Sequence, residues 1–247
     1  MIGIISAMQE EVEALLQALQ NVSTRQKGQR TYFEGILFGK PVVIVFSRWG
    51  KVAAAATTTQ LLNDFPVREV LFTGVAGAIQ PDINIGDIVV GKQLYQHDLD
   101  ARPFYQQFEI PILQKKHLVT SQPQALEMAA NTFVKKLHNY LSDTEAAVFG
   151  IRKPKVYIGD IASGDQFISS RDKIRWLNQQ LPSAICAEME GAAVAQICHE
   201  YKLPFNIIRI ISDKANDNAG IDFPRFAKSI ASNYALGILA AYLSTKS

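Results

Sequence analysis

Residues 187–217, AEMEGAAVAQICHEYKLPFNIIRIISDKAND, hold a strand–helix–strand pattern that decides the fold class of this chain. The first strand, 185–190, is short and apolar but carries two carboxylates, Glu188 and Glu190. Alternate residues of a strand share a face, so both carboxylates are expected to point the same way. A helix over 191–201 follows. A second apolar strand, 205–212, then carries Arg209 and ends on Ser212 and Asp213. Charges at the ends of buried strands are costly unless paired or used. Two charged strand ends therefore predict a polar site at one edge of a sheet.

Outward from this stretch, short β-rich runs alternate with helical patterns. Strands are expected at 2–6, 31–38, 41–47, 69–73, 87–91 and 155–161. Helices are expected at 8–19, 51–63, 124–140 and 223–243. The pair 31–38 and 41–47 reads as a hairpin around Gly39-Lys40. Alternating strands and helices indicate an α/β fold with a mostly parallel or mixed sheet covered by helices. No repeat, low-complexity tract or Pro/Ser-rich linker divides the chain, so one domain over 1–247 is expected. The least regular stretch is 96–123, with Pro103, Pro111 and Pro123. A long irregular loop of this kind is usually functional or at an interface.

With 247 residues and 48% apolar content, the chain can bury a substantial core. Its net charge of +2, with no dense Lys/Arg run beyond Arg152-Lys153-Pro154-Lys155, argues against a nucleic-acid partner. The longest apolar stretch, 234–243, is too short to span a bilayer, so no membrane role is expected. MIGIIS reads as a first strand rather than a leader. Cys186 and Cys198 lack CxxC spacing and sit among apolar residues. They read as buried free thiols of a reducing cytoplasm.

Four further constellations carry chemistry, each beside a structural alternative. Ser6-Ala7-Met8-Gln9 fits a capping box, with Ser6 as cap and Gln9 reaching back. Glu10, Glu11 and Glu13 then lie where a helix dipole favours acids. Gly74-Val75-Ala76-Gly77-Ala78 follows a buried strand. It is either a tight turn or a loop whose amides approach a ligand. It is not GxGxxG, so no dinucleotide fold is implied. In Gly164-Asp165-Gln166-Phe167-Ile168, Phe167 is either core or an aromatic face for a flat base. Phe223 either opens the last helix's apolar face or serves a site. His97, Asp98 and Asp100 form too small a set to imply a metal. The remaining histidines, His117, His138 and His199, fall in no catalytic motif.

Taken in order, these segments resemble the nucleoside hydrolases and phosphorylases, most closely the 5'-methylthioadenosine/S-adenosylhomocysteine nucleosidases. The resemblance covers about 1–100 and 155–245 and is weak over 101–154. It implies a single-domain α/β fold, a central mixed sheet or distorted barrel flanked by helices. Ser6-Ala7-Met8-Gln9-Glu10-Glu11-Val12 matches the family's GAMEEEV-like turn, whose last Glu activates water, and that residue here is Glu11. The TGSAGG loop lining ribose and water corresponds to Thr73–Ala78, with Val75 in place of its Ser and Ala76 and Gly77 following. The SGDAFI segment matches Gly164–Ile168, which implies that Phe167 stacks on the purine beside Ile168. In the EME motif, Glu188-Met189-Glu190, the last Glu holds the ribose diol and the Met packs on the sugar. Asp213 matches the acid that protonates the leaving purine at N7. Arg209 would orient Asp213 or the sugar-side carboxylates, Ser212 adjoins, and Phe223 lies near the ribose.

The implied reaction is hydrolysis of a purine N-ribosidic bond through a cation-like ribosyl transition state. Asp213 would be the acid, with its pKa raised by burial, and Glu11 the base. The partners are a small nucleoside and water; no metal or organic cofactor is implied. Two departures concern the 5' end. The family's SGIGK turn appears as Ser47-Arg48-Trp49-Gly50-Lys51, and Arg102 stands where a small polar residue is usual. Either Trp49 packs on a dimer partner and Arg102 pairs with Asp100, or both read the substrate. A homodimer is expected through 101–111, where Phe104, Tyr105, Phe108 and Ile110 cluster, with Phe104 closing the partner's 5' pocket. A phosphorylase, a futalosine-type hydrolase and a non-catalytic binding protein remain as alternatives. The first needs an Arg and a Ser near the glycine loop. The last would be expected to lose Glu11 or Asp213.

Overall fold

The computed structural model describes residues 1–216 and 218–246; Asp217, at the end of the stretch quoted above, lies outside the described residues. Ten strands form one sheet: β1 Ile2–Ser6, β2 Gln20–Lys27, β3 Arg30–Leu37, β4 Lys40–Phe46, β5 Glu69–Ala78, β6 Ile88–Gln96, β7 Leu118–Val119, β8 Val156–Ser163, β9 Ala184–Glu188 and β10 Phe205–Asp213. The helices are α1 Glu13–Ala18, α2 Lys51–Asp64, α3 Pro123–Lys135, α4 Asp143–Val148, α5 Arg171–Gln180, α6 Gly191–Glu200, α7 Ala219–Phe226 and α8 Ser232–Ser244. A π-helical segment, Ala227–Ala231, joins the last two.

The strand order runs β10-β6-β8-β9-β5-β1-β4-β3-β2, and β10 also pairs with β5. Strands β5, β10, β6, β8 and β9 therefore close into a ring, and β1, β4, β3 and β2 extend from it. This is the distorted barrel that the resemblance implied. The sheet is mixed: β1, β4, β5 and β10 are parallel, whereas β9 meets β5 antiparallel at Gly77↔Ala187. The C-terminal ends of β5 and β9 therefore converge on one place. Open parallel sheets bind ligands outside the carboxyl ends of their strands.

Both faces of the sheet are covered. One core layer, including Ile4, Ile44, Phe133, Tyr234 and Ile238, lies under α1, α3 and α8. A second, including Ile5, Phe72, Cys186, Val194 and Ile207, lies under α2 and α6. Cys186 and Cys198 are buried and unpaired. Among the described residues, no helix is long and apolar enough to cross a membrane.

Several elements differ from expectation. Strand β2, QNVSTRQK, is exposed along its whole length and so has no alternating apolar signal. The glycine segment 74–77 is the end of β5 rather than a turn, because its backbone pairs with β10 and β9. The 8–19 helix is a 3-10 turn, Gln9–Glu11, followed by the short α1. The first strand of the opening stretch stops at Glu188, so Glu190 caps α6 instead of sharing a strand face with Glu188. In 101–111, Phe108 and Ile110 are core residues of this chain and do not belong to an exposed patch.

Candidate active site

A cleft opens where the strand ends converge. Fourteen of the residues singled out from the sequence line it: Met8, Glu11, Trp49, Val75, Ala76, Gly77, Phe167, Ile168, Glu188, Met189, Glu190, Ser212, Asp213 and Phe223. Ala7, Gln166 and Ala187 also line it and were missed. Each adjoins a residue already named, and only backbone position distinguishes it.

Glu11 is buried at the end of β1 and is gripped from two sides. Its Oε2 accepts from the Ser6 hydroxyl, the Ala7 amide at 3.1 Å and the Met8 amide at 3.0 Å. Its Oε1 accepts from the Val75 amide at 2.9 Å. A carboxylate has about four lone-pair sites, two per oxygen, so Oε1 retains capacity for one more donor. Glu11, not Gln9, reaches back to this turn, and Ser6 serves the carboxylate as the last residue of β1. Burial pushes the Glu11 pKa above the usual carboxylate range, and its hydrogen bonds offset only part of that.

Asp213 lies on the far side of β5. Its Oδ1 accepts from the Ala215 amide and its Oδ2 from the Ser212 hydroxyl, both at 2.7 Å. An irregularity in the β10–β5 register between Ile211 and Asp213 re-aims this side chain. Burial raises its pKa, with the Ser212 hydroxyl working against the shift. The two glycines of β5 explain why both carboxylates fit. A Cβ at Gly74 would lie 2.7 Å from Glu11 Oε1 and 2.8 Å from Arg209 Nη1. A Cβ at Gly77 would lie 2.8 Å from Asp213 Oδ1. The glycines clear space for charged groups, and three residues of strand set the two positions roughly 10 Å apart.

Glu188 and Glu190 differ sharply. Glu188 accepts from Ser163, the Glu190 and Gly191 amides and Arg209, so protein donors occupy its oxygens. Glu190 receives one protein bond, from the Gly50 amide to Oε1 at 2.8 Å. Its Oε2 has no protein hydrogen bond among the described residues. Burial, with the charge of Glu188 nearby, raises the Glu190 pKa to about 8.

Three residues singled out from the sequence do not line this cleft. Arg209 is 1% exposed and sits behind the wall, bonded to Glu188 and stacked 4.0 Å from the Phe72 ring. It balances Glu188 and does not touch Asp213. Burial disfavours its charge, but Glu188, Glu190 and Glu11 outweigh that and raise its pKa. Arg102 pairs with Asp100 on the surface, in the alternative arrangement noted above. Phe104 is 88% exposed. His97, Asp98 and Asp100 also diverge: His97 is buried against Gly164, Asp98 binds Lys51 and Asp100 binds Arg102.

The mouth of the cleft is aromatic. Phe223 meets Trp49 edge-on at 5.9 Å and Phe167 at 5.8 Å. Arg48 takes φ 70°, a left-handed conformation uncommon for a residue with a side chain, at the turn that delivers Trp49. Among the described residues, no Lys or Arg lines the cleft. The site thus offers two separated carboxylates of raised pKa, a third with an oxygen free of protein donors, flat aromatic faces and no cation.

The chain is similar to known proteins over nearly its whole length. The description of the phosphorylase superfamily matches residues 1–244. A 5'-methylthioadenosine/S-adenosylhomocysteine nucleosidase of Shewanella denitrificans is 34% identical over 239 residues, 97% of each chain. The same enzyme of Neisseria meningitidis, solved with methylthio-immucillin-A, superposes with a TM-score of 0.87 at 31% identity, covering 99% of both chains. A futalosine hydrolase of Helicobacter pylori superposes at 0.84 and 30% identity, covering 99% of this chain and 97% of its own.

Proposed function

This chain belongs to the phosphorylase superfamily, and from that premise we propose that it hydrolyses the N-ribosidic bond of 5'-methylthioadenosine and S-adenosylhomocysteine, releasing adenine. The observation that carries this is the placing of Glu11 and Asp213 at either end of Gly74–Gly77, facing one cleft without a cation. In this reading the residues lining the cleft all belong to one domain over 1–247.

In this reading, Asp213 protonates the leaving purine at N7. Its raised pKa keeps the proton available. As the base departs, positive charge grows on the ribosyl ring, and the carboxyl oxygens lining the cleft stabilise that charge. Glu11 takes a proton from the attacking water, which occupies the remaining site on Oε1. Glu190 accepts the ribose hydroxyls on Oε2, with the Gly50 amide fixing its other oxygen. Met189 and Met8 pack on the sugar side, and Phe167, Ile168 and Phe223 face the base. Arg209 acts through Glu188.

Phosphorolysis is disfavoured by charge. A phosphate needs a cation or clustered donors, and the nearest guanidinium, Arg209, is committed to Glu188 behind the wall. The test is to measure free adenine from methylthioadenosine, S-adenosylhomocysteine and futalosine analogues, with and without phosphate. Phosphate-independent adenine release is expected. Release that requires phosphate and yields ribose 1-phosphate would sink the proposal. Cleavage of futalosine alone would move the substrate to that alternative.

The chain further reads as a cytoplasmic homodimer. Buried, unpaired Cys186 and Cys198 support a reducing compartment. Exposed Phe104 and Ile112, at 88% and 90%, support a partner face over this loop, with Phe104 reaching the partner's cleft mouth. A monomer at micromolar concentration with full activity would refute the dimer.

A further inference from the structure

Three residues outside the cleft close a ring of charge-assisted hydrogen bonds across its mouth. The Lys51 amide donates to Asp165 Oδ1 at 2.7 Å. The Asp165 amide donates to Asp98 Oδ2 at 2.8 Å. The Lys51 ammonium donates to Asp98 Oδ1 at 2.6 Å, and also to Gln96 at 3.1 Å. These contacts join the start of α2, the end of β6 and the 164–168 loop, which are distant in sequence. Helix α2 has no side-chain cap of its own, so its first amide takes an acceptor from outside the helix. Gly50 gives its amide to Glu190 and Lys51 gives its amide to Asp165, so one turn holds both the ribose side and the base side. Gly50 is required there: its φ is 92°, and a Cβ would lie 2.9 Å from Asp165 Oδ1.

The 165–167 segment is exposed, and Gln166, Phe167 and Ile168 follow directly into the cleft. Burial works against ionisation of Asp98, yet the Lys51 bond and the Asp165 amide hold its carboxyl below the usual range. We propose that Lys51, Asp98 and Asp165 form a positioning staple that fixes the base-side loop at a set distance from Glu190. The staple rests on the nucleoside reading above and adds to it three residues that touch no substrate. Without it, the loop must be ordered by the ligand, and that cost appears in binding rather than in chemistry.

The test uses the full-length protein carrying Asp98→Asn or Asp165→Ala, together with Lys51→Met and Lys51→Arg. Each of the first two is expected to raise KM for methylthioadenosine and the inhibition constant of free adenine by the same factor, about tenfold, with kcat within about threefold. Lys51→Met combined with Asp98→Asn should cost less than the sum of the two alone, because the ring is already open. Lys51→Arg, which keeps the cation, should recover part of the loss. Asp165→Ala removes an exposed side chain, so it decides the matter if Asp98→Asn does not fold. Unchanged KM and adenine inhibition in both variants, or simple additivity in the pair, would overturn the staple. Failure of the wild type to release any base would instead overturn the nucleoside reading.

Discussion

The two walls of the cleft are built differently. The inner wall consists of Glu11 on the 3-10 turn after β1, Glu188 and Asp213 at strand ends and Glu190 at the start of α6, all buried and all hydrogen-bonded to backbone. The rim consists of Trp49 and Phe167, 54% and 44% open to solvent. The inner wall is fixed by the sheet, since Gly74 and Gly77 must face Glu11 and Asp213 whatever the substrate's 5' group. The rim is fixed by turns and by exposed contacts, which tolerate change. On the proposed reading, chemistry therefore resides in the wall, and selectivity among 5' substituents in the rim.

The sharpest way to break this contrast is to neutralise the wall without changing its shape. Asp213→Asn and Glu11→Gln should each lower kcat by about 10²–10⁴-fold, since each removes one proton-transfer role. Both should keep the native fold by circular dichroism. Near-native kcat in either variant would remove that residue from its role.

A second test concerns the support behind the wall. Arg209→Met leaves buried Glu188 without its cation, which should cost about 3–5 kcal/mol of unfolding free energy by denaturant titration. Adding Glu188→Gln should restore much of it, because the unpaired charge is then gone. No recovery in the double variant would mean that Arg209 stabilises through its packing on Phe72 instead.

A third test uses pH. Burial raises the folded Glu190 pKa to about 8, against 4.5 for an ordinary glutamate. Between those values the native chain holds a proton that the unfolded chain releases, so stability falls as pH rises through this window. Glu190→Gln lacks this linkage. Its melting temperature should exceed that of the wild type at pH 8, and the gap should close toward pH 5. A gap independent of pH would refute the buried, proton-binding environment assigned to Glu190.

The same contrast explains what the sequence disclosed. The α/β class, the strands 2–6 and 205–212 and the buried charges Glu188 and Asp213 were legible because buried strands carry continuous apolar runs and charges within them stand out, whereas Glu11 was singled out only through the family resemblance. Strand β2 was not, since an edge strand exposed on both faces has no apolar period. Glu190 was assigned to a strand because EME alternates in letters, whereas its backbone has already turned to cap α6. Arg209 was expected to orient Asp213 or the sugar-side carboxylates; its partner is Glu188, 21 residues away across the sheet, and it makes no bond to Asp213. Phe108 and Ile110 looked exposed only because their loop is irregular. In the structure Phe108 packs on Trp176, which lies on the α5 helix that the sequence did not disclose.

The smallest expected effect belongs to Arg102, a surface residue outside the cleft that a sequence reading could assign to the substrate. It is exposed and forks onto Asp100 through Nε at 2.8 Å and through Nη2. That bond, rather than burial, holds the Asp100 carboxyl down to about 2. A guanidinium so engaged is already neutralised, and an exposed pair of this kind is screened by water and salt. For Arg102 to read a carboxylate at the 5' end, it would have to leave Asp100 and reach a cleft that it does not line in its own chain. Arg102→Ala should therefore change the ratio of kcat/KM for S-adenosylhomocysteine over methylthioadenosine by less than about threefold. Trp49→Ala is the informative control, because Trp49 lines the cleft and packs on Phe223. Removing its indole should raise KM for both substrates. A tenfold fall in the ratio on Arg102→Ala would show that the arginine acts across the dimer, at the partner's rim, and would make selectivity a property of the assembled pair.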